Sequence, residues 1–183
     1  MKTAHAFKTS AIAIAMSLAA SSAWAMEMKE FVDKVAMQNY AEIETSKLAL
    51  EKGQSQEVND FAQRMIEDHR TANEELKKMA QEENIQVPDD AALMDQGKAM
   101  MLKLREGENF DEGYINNQVA AHEETIKVFE EASKTLENQE MKNWAEGELS
   151  TLREHYEQAK QLQAQLGANP DSSQSPSTST TAN

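Results

Sequence analysis

Between residues 28 and 166 the apolar positions recur every three or four residues, the repeat of helices that each bury one face. Val58, Ala62, Met65, Ala72, Leu76 and Met79 form one such stripe. Ile115, Val119, Ile126, Phe129 and Leu136 form a second, and Met141, Trp144, Leu152, Ala159, Leu162 and Leu166 a third. Phe31, Val35, Ile43 and Ala49 form a fourth. The stretch is rich in Ala, Glu, Lys, Gln and Leu, with few β-branched runs, which favours helix.

Local signals divide it. The first helix is expected over 28–52, ending at Gly53. Ser55 is placed to cap a second, running to about Glu83 before Asn84 and Pro88. Asp89 or Asp90 would cap a shorter helix near 91–105, closed by Gly107. Asn109, with Glu112 three residues on, has the form of a capping box for a helix reaching about Leu136. Asn138 would cap the last, which stops at Gly167 with Pro170 beyond. Four long amphipathic helices can bury their stripes only against one another. The prediction is therefore an all-α four-helix bundle, with the short extra helix in a long crossover between the second and third long helices.

The ends read differently. Lys2, His5 and Lys8, the apolar run Ala11 to Ala20 and the small residues of Ala23-Trp24-Ala25 have the form of a signal peptide over 1–25. That run is too short to span a bilayer, and no later segment is apolar enough to do so. The expected mature chain starts near Met26 and is periplasmic or secreted, with a bundle domain over 26–167. Residues 168–183 are mostly Ser, Thr, Pro and Asn and are expected to be a disordered tail.

The chain has no cysteine, which removes disulfides, thiol nucleophiles, zinc fingers and cysteine-ligated clusters, and leaves stability to packing. Losing the leader takes Lys2 and Lys8 and no acid, moving the formal net charge from −14 to −16. Such a surface repels nucleic acid and anionic lipid, so neither is an expected partner.

The candidate chemistry lies inside the stripes. At 100° per residue, His69 falls within about 20° of Val58, Ala62 and Leu76. His122 has Ile115 and Phe129 one heptad away on either side, and His155 has Leu162. Glu42 is flanked in the same way by Val35 and Ala49, whereas Glu44 points to solvent. Depth is a second test. At a rise of about 1.5 Å per residue, Glu42 and His69 lie about 17 and about 22 Å below the first hairpin turn. By the same rise His122 and His155 lie about 22 and about 25 Å from the second turn, in helices about 40 Å long. All four therefore sit near the waist and can form one layer.

Burying unpaired imidazoles and a carboxylate costs several kcal/mol, so the layer needs a partner. A transition-metal ion is one answer. Three histidines with Glu42 suit Zn, Fe, Mn, Ni or Cu(II). A hydrogen-bonded layer that only fixes helix register is the other. Asp68, Glu123 and Glu154 adjoin the three histidines in sequence and lie about 100° round, where acceptors orienting a ligand on the next helix would be found. Tyr40, Tyr114 and Tyr156 also lie on flanks and could donate to the layer, but read first as boundary residues.

Sharper motifs fail. His122-Glu123-Glu124-Thr125-Ile126 lacks the second histidine of a zinc-protease helix. No histidine has a glutamate three residues before it, so the Glu-x-x-His pairs of di-iron bundles are missing. One core carboxylate supports one ion at most. Met94, Met100 and Met101 suggest soft Cu(I) ligation, but packing of the short helix is much the simpler reason for them. An enzyme needs an open coordination position, and the pattern specifies none.

Phe61-Ala62 with Met65-Ile66 and Asp68-His69, then Phe110-Asp111 with Tyr114 and His122, then Leu149 with Leu152-Arg153 and His155, carry a family resemblance. Over about residues 30–166 the chain resembles a bacterial export family, domain of unknown function 4142, whose members are often labelled outer-membrane proteins. The resemblance implies a ferritin-like bundle and no reaction. It places the family's shared histidines on His69, His122 and His155, and its first-helix glutamate on Glu42. Family members often carry a proline where this chain has Ser150. The expected function is metal buffering, sensing or stress protection in the envelope. The alternatives are a structural or stress-related interaction module, or a carrier holding an apolar ligand between helices.

Overall fold

In the computed structural model the described residues are 26–88 and 110–168, and they form four helices and no strand. These are α1 (Met28–Lys52), α2 (Gln56–Glu82), α3 (Phe110–Thr135) and α4 (Gln139–Ala168). The expected short helix near 91–105, the Asn109 cap, the leader and residues 169–183 lie outside the described residues. No described helix is long and apolar enough to cross a membrane.

The caps follow the chemistry of the residues there. Ser55 Oγ accepts from the Val58 amide at 3.4 Å, and Asn138 Oδ1 accepts from the Met141 amide at 2.8 Å. Asn84, at φ 58°, takes the left-handed conformation that ends α2. The Ile85 amide then donates back to the Ala80 carbonyl and that of Asn84 to Gln81, while Ile85 packs on the core. At Ser150, α4 continues without a break.

Two contacts fix the topology. Asp111, at the start of α3, accepts from the backbone amides of Gln54 and Ser55 at 3.1 and 2.8 Å, so α3 begins at the α1–α2 turn. Glu83, just past α2, accepts from Asn138 Nδ2 at 2.6 Å, at the α3–α4 turn. The end of α2 and the start of α3 therefore lie at opposite ends of the bundle. In consequence α2 and α3 run parallel, and every neighbouring pair (α1–α2, α3–α4, α1–α3 and α2–α4) is antiparallel.

Gly53 shows how tightly the first turn is closed. A Cβ there would stand 2.6 Å from the Ala49 carbonyl oxygen, 2.7 Å from Asn59 Oδ1 and 3.1 Å from Asp111 Oδ1. Its φ of −63° is open to any residue, so the constraint is close approach and not handedness. Gly53→Ala is expected to lower stability by about 1–3 kcal/mol, as overpacking does, in urea unfolding followed by circular dichroism.

The core falls into two apolar clusters. One contains Phe31, Val35, Leu76, Phe129, Leu136, Met141 and Leu152. The other contains Leu48, Val58, Phe61, Met65, Tyr114, Ile115 and Leu162. Each helix contributes to both, and polar residues occupy the layer between.

Candidate metal centre

Each buried histidine marks the point where its helix passes from one apolar cluster to the other. On α2, His69 lies between Met65 and Leu76; on α3, His122 between Ile115 and Val128; on α4, His155 between Leu152 and Ala159. The rings form a nearly equilateral triangle, with centroids 5.5 Å (69–122), 5.6 Å (69–155) and 5.4 Å (122–155) apart. One ligand atom from each of the three lies within 4.8 Å of those of the others.

Each ring has one nitrogen held by an acceptor. His122 Nδ1 donates to the Gln118 carbonyl one turn back, at 3.0 Å. His69 Nδ1 donates to Asn39 Oδ1 at 3.0 Å, and His155 Nε2 donates to Asp68 Oδ2 at 2.8 Å. With the proton on that side, the other nitrogen carries a lone pair. Those nitrogens, His69 Nε2, His122 Nε2 and His155 Nδ1, are buried and have no hydrogen-bond partner among the described residues. Three buried lone pairs on one triangle lower free energy only if something electropositive sits among them. A metal ion fits this donor set: outer acceptors fix the tautomers and neutral imidazole nitrogens face inward.

Burial also prepares the rings electrostatically. It pushes the His69 pKa well below the usual 6.5, and repulsion from charged forms of His122 and His155 adds to this. His155 is pushed down to about 4, chiefly by burial, against the upward pull of its bond to Asp68. Both rings are therefore neutral at pH 7 and available as ligands.

The fourth helix contributes polar groups of another kind. Glu42 on α1 is buried, as its wheel position required, and its Oε2 accepts from Gln118 Nε2 at 2.6 Å. Burial raises its pKa, while the nearby His122 and the Gln118 bond oppose the rise. Gln118 thus links Glu42 to His122, through its side-chain amide and its own carbonyl. The structure gathers three of the four expected ligands into one group and sets Glu42 on Gln118 beside it.

Of the acids expected on the flanks, Asp68 contacts His155. Glu154 binds Arg64 at 3.0 Å, and Arg64 in turn reaches Asp68 at 3.3 Å. Glu123 is exposed and pairs with Lys127. Asn39 and Gln118 escaped the sequence reading; their only signal is spacing, three residues before Glu42 and four before His122. Tyr114 corrects an expectation. It is no boundary residue but fully buried, its hydroxyl 2.8 Å from Ser46 Oγ, because a buried phenol needs a partner and α1 supplies one. Burial raises its pKa far above the phenolic range.

The model of the family described as domain of unknown function (DUF4142) matches residues 13–162. The chain belongs to the DUF4142 family. No curated protein matches it. Among solved structures, the Cu(II)-bound form of CopM superposes with a TM-score of 0.64 at 19% identity, covering 76% of this chain and 98% of CopM. The Cu(I)-bound form gives 0.62 at 18% identity over 75% and 95%, and the apo form 0.63 at 18% over 76% and 98%. At such identities the likeness is one of fold. In this DUF4142 chain the motif residues divide by task. Phe61, Phe110 and Tyr114 pack ring on ring, Asp111 clamps the first turn, and Asp68, His69, His122 and His155 build the polar layer.

Proposed function

We propose that this protein binds one transition-metal ion on His69, His122 and His155, and that it serves in metal buffering, sensing or stress protection after export. The three buried, unpartnered and tautomer-fixed imidazole nitrogens carry this reading. Glu42 stands beside them and supplies a carboxylate that offsets a divalent charge. A site of imidazoles without thiolate suits Cu(II), Zn(II) or Ni(II), and the fold shared with copper-bound CopM makes copper the first ion to test. The form of residues 1–25 supports export, and the tail from 168 is read as a passive extension. An ion so placed would be held as cargo.

A specific observation also favours the packing reading: Asn39, Gln118 and Asp68 already tie four helices together through the layer. Protein purified from the periplasm without chelator is expected to carry about one equivalent of metal by elemental analysis, and to gain thermal stability on adding Cu(II). Less than about a tenth of an equivalent, with no shift on adding Cu(II), Zn(II) or Ni(II), would leave packing as the layer's only role.

A further inference from the structure

Among neighbouring helices, α2 and α4 are the least closely packed, and their seam is lined with carboxylates. Asp68 and Glu75 stand one heptad apart on α2, and Glu148 stands one heptad before His155 on α4. Because the helices are antiparallel, His155 meets Asp68 at 2.8 Å, while Trp144 Nε1 donates to Glu75 at 2.8 Å one level further along. Half-buried Glu148 feels both acids: burial raises its pKa, and repulsion from Glu75 and Asp68 adds to the rise. The three carboxylates thus share one field on the seam.

Alone, that row would be an ordinary solvated face of an acidic chain. Here it ends on His155, a side chain only 1% exposed whose ring spans two environments. Nε2 donates outward to Asp68, and the buried, unpartnered Nδ1 belongs to the triad. A cation already lies over this junction. Arg64 reaches Asp68 through Nε at 3.3 Å, Glu154 through Nη2 at 3.0 Å and Gln158 through Nη1 at 3.1 Å, bridging α2 to α4. Across the bundle, the α1–α3 seam carries Lys34 against Glu124.

We propose that a divalent cation reaches and leaves the histidine triad through the α2–α4 seam, docking first on Asp68, Glu75 and Glu148, with Arg64 as a latch over the junction. This route presupposes the metal-binding reading above and adds its path. The carboxylates raise the local cation concentration, an effect that salt screens. Arg64 pairs with half-exposed acids, and such pairs are weak, so the guanidinium yields readily to an arriving cation. As the cation takes Asp68, it displaces Arg64 and stands against the ring that leads inward.

Substituting Asp68 would disturb the His155 bond as well as the route, so Glu148 and Arg64 are the informative positions. The full chain is mixed with Cu(II) chloride in a stopped-flow instrument, uptake is read by tryptophan quenching, and release is read by competition with a chelator. Glu148→Gln is expected to slow uptake and release together, by roughly three- to tenfold, with Kd changed by no more than about twofold. Arg64→Gln is expected to accelerate both. Added salt is expected to slow wild-type uptake more than that of Glu148→Gln. Glu51→Gln, which removes one exposed charge at the end of α1, is the control and should leave the rates near wild type. If wild type binds the ion but Glu148→Gln and Arg64→Gln behave like the control, the route is wrong and the site stands. If wild type takes up no ion, both readings fall.

Discussion

His122→Ala is expected to weaken metal binding by more than about 100-fold and to remove the stability that metal adds. Loss of an outer hydrogen-bond partner alone costs a metal site about 10–100-fold in affinity, and loss of a donor exceeds that. His122 is the ligand to remove because both other rings lie within 5.5 Å of it and its position is set by its own helix, through the Gln118 carbonyl. Removing its imidazole also leaves a void, so the metal-free variant should be less stable by about 1–3 kcal/mol. With free Cu(II) at about 100 times the wild-type Kd, wild type gains about 2.7 kcal/mol and the variant less than about 0.4 kcal/mol. The gap between the two proteins therefore widens when metal is added. If the layer only specified packing, the gap would be equal with Cu(II) and with EDTA, as thermal unfolding under both conditions would show.

The histidine layer was legible because a helix is a ruler and a protractor. Rise per residue put His69, His122 and His155 at one depth, and the 100° step put each on a buried face; the three rings do meet. The same geometry placed Glu42 in the core but could not say what its carboxylate would touch. That depended on Gln118, on another helix, whose amide reads in sequence like any solvated glutamine. Asn39 was hidden for the same reason. The flanking acids show a second limit. Asp68 and Glu154 precede their histidines by one residue and Glu123 follows its own, and packing decides what covers each flank. The α2 flank is covered by α4, so Asp68 finds His155, whereas Glu123 faces solvent and finds Lys127 one turn along its own helix. Tyr114 has a marginal wheel position; its ring packs on Phe61 and Phe110, and its hydroxyl pairs with Ser46 on α1, a residue 68 positions away.

Acidification from pH 6.5 to about 4 is expected to destabilise the metal-free protein by a few kcal/mol. Burial keeps His155 neutral down to about pH 4, whereas in the unfolded chain it protonates near 6.5. Between those values the unfolded chain binds a proton that the folded chain does not, so stability rises with pH across the window. The contribution is complete above pH 6.5 and gone below about 4, and for His155 it amounts to about 3 kcal/mol. His69, pushed well below its usual range by burial, acts in the same direction. Glu42 acts oppositely. Its raised pKa lets the folded chain hold a proton above 4.5, so its share falls as pH rises through its folded value. Two histidines against one carboxylate leave a net rising limb, measurable as urea midpoints at successive pH values, and His155→Gln should flatten it. The same shifts govern metal binding. Between pH 7 and 5, three ordinary imidazoles would each lose about 30-fold in availability, more than about 10⁴ together. With His155 still largely neutral at pH 5 and His69 shifted in the same direction, Kd for Cu(II) is expected to weaken by far less than about 10⁴ over that range. A loss near 10⁴ in a competition titration would mean that the rings titrate as exposed histidines do, and that the buried triad is not the site that holds the ion.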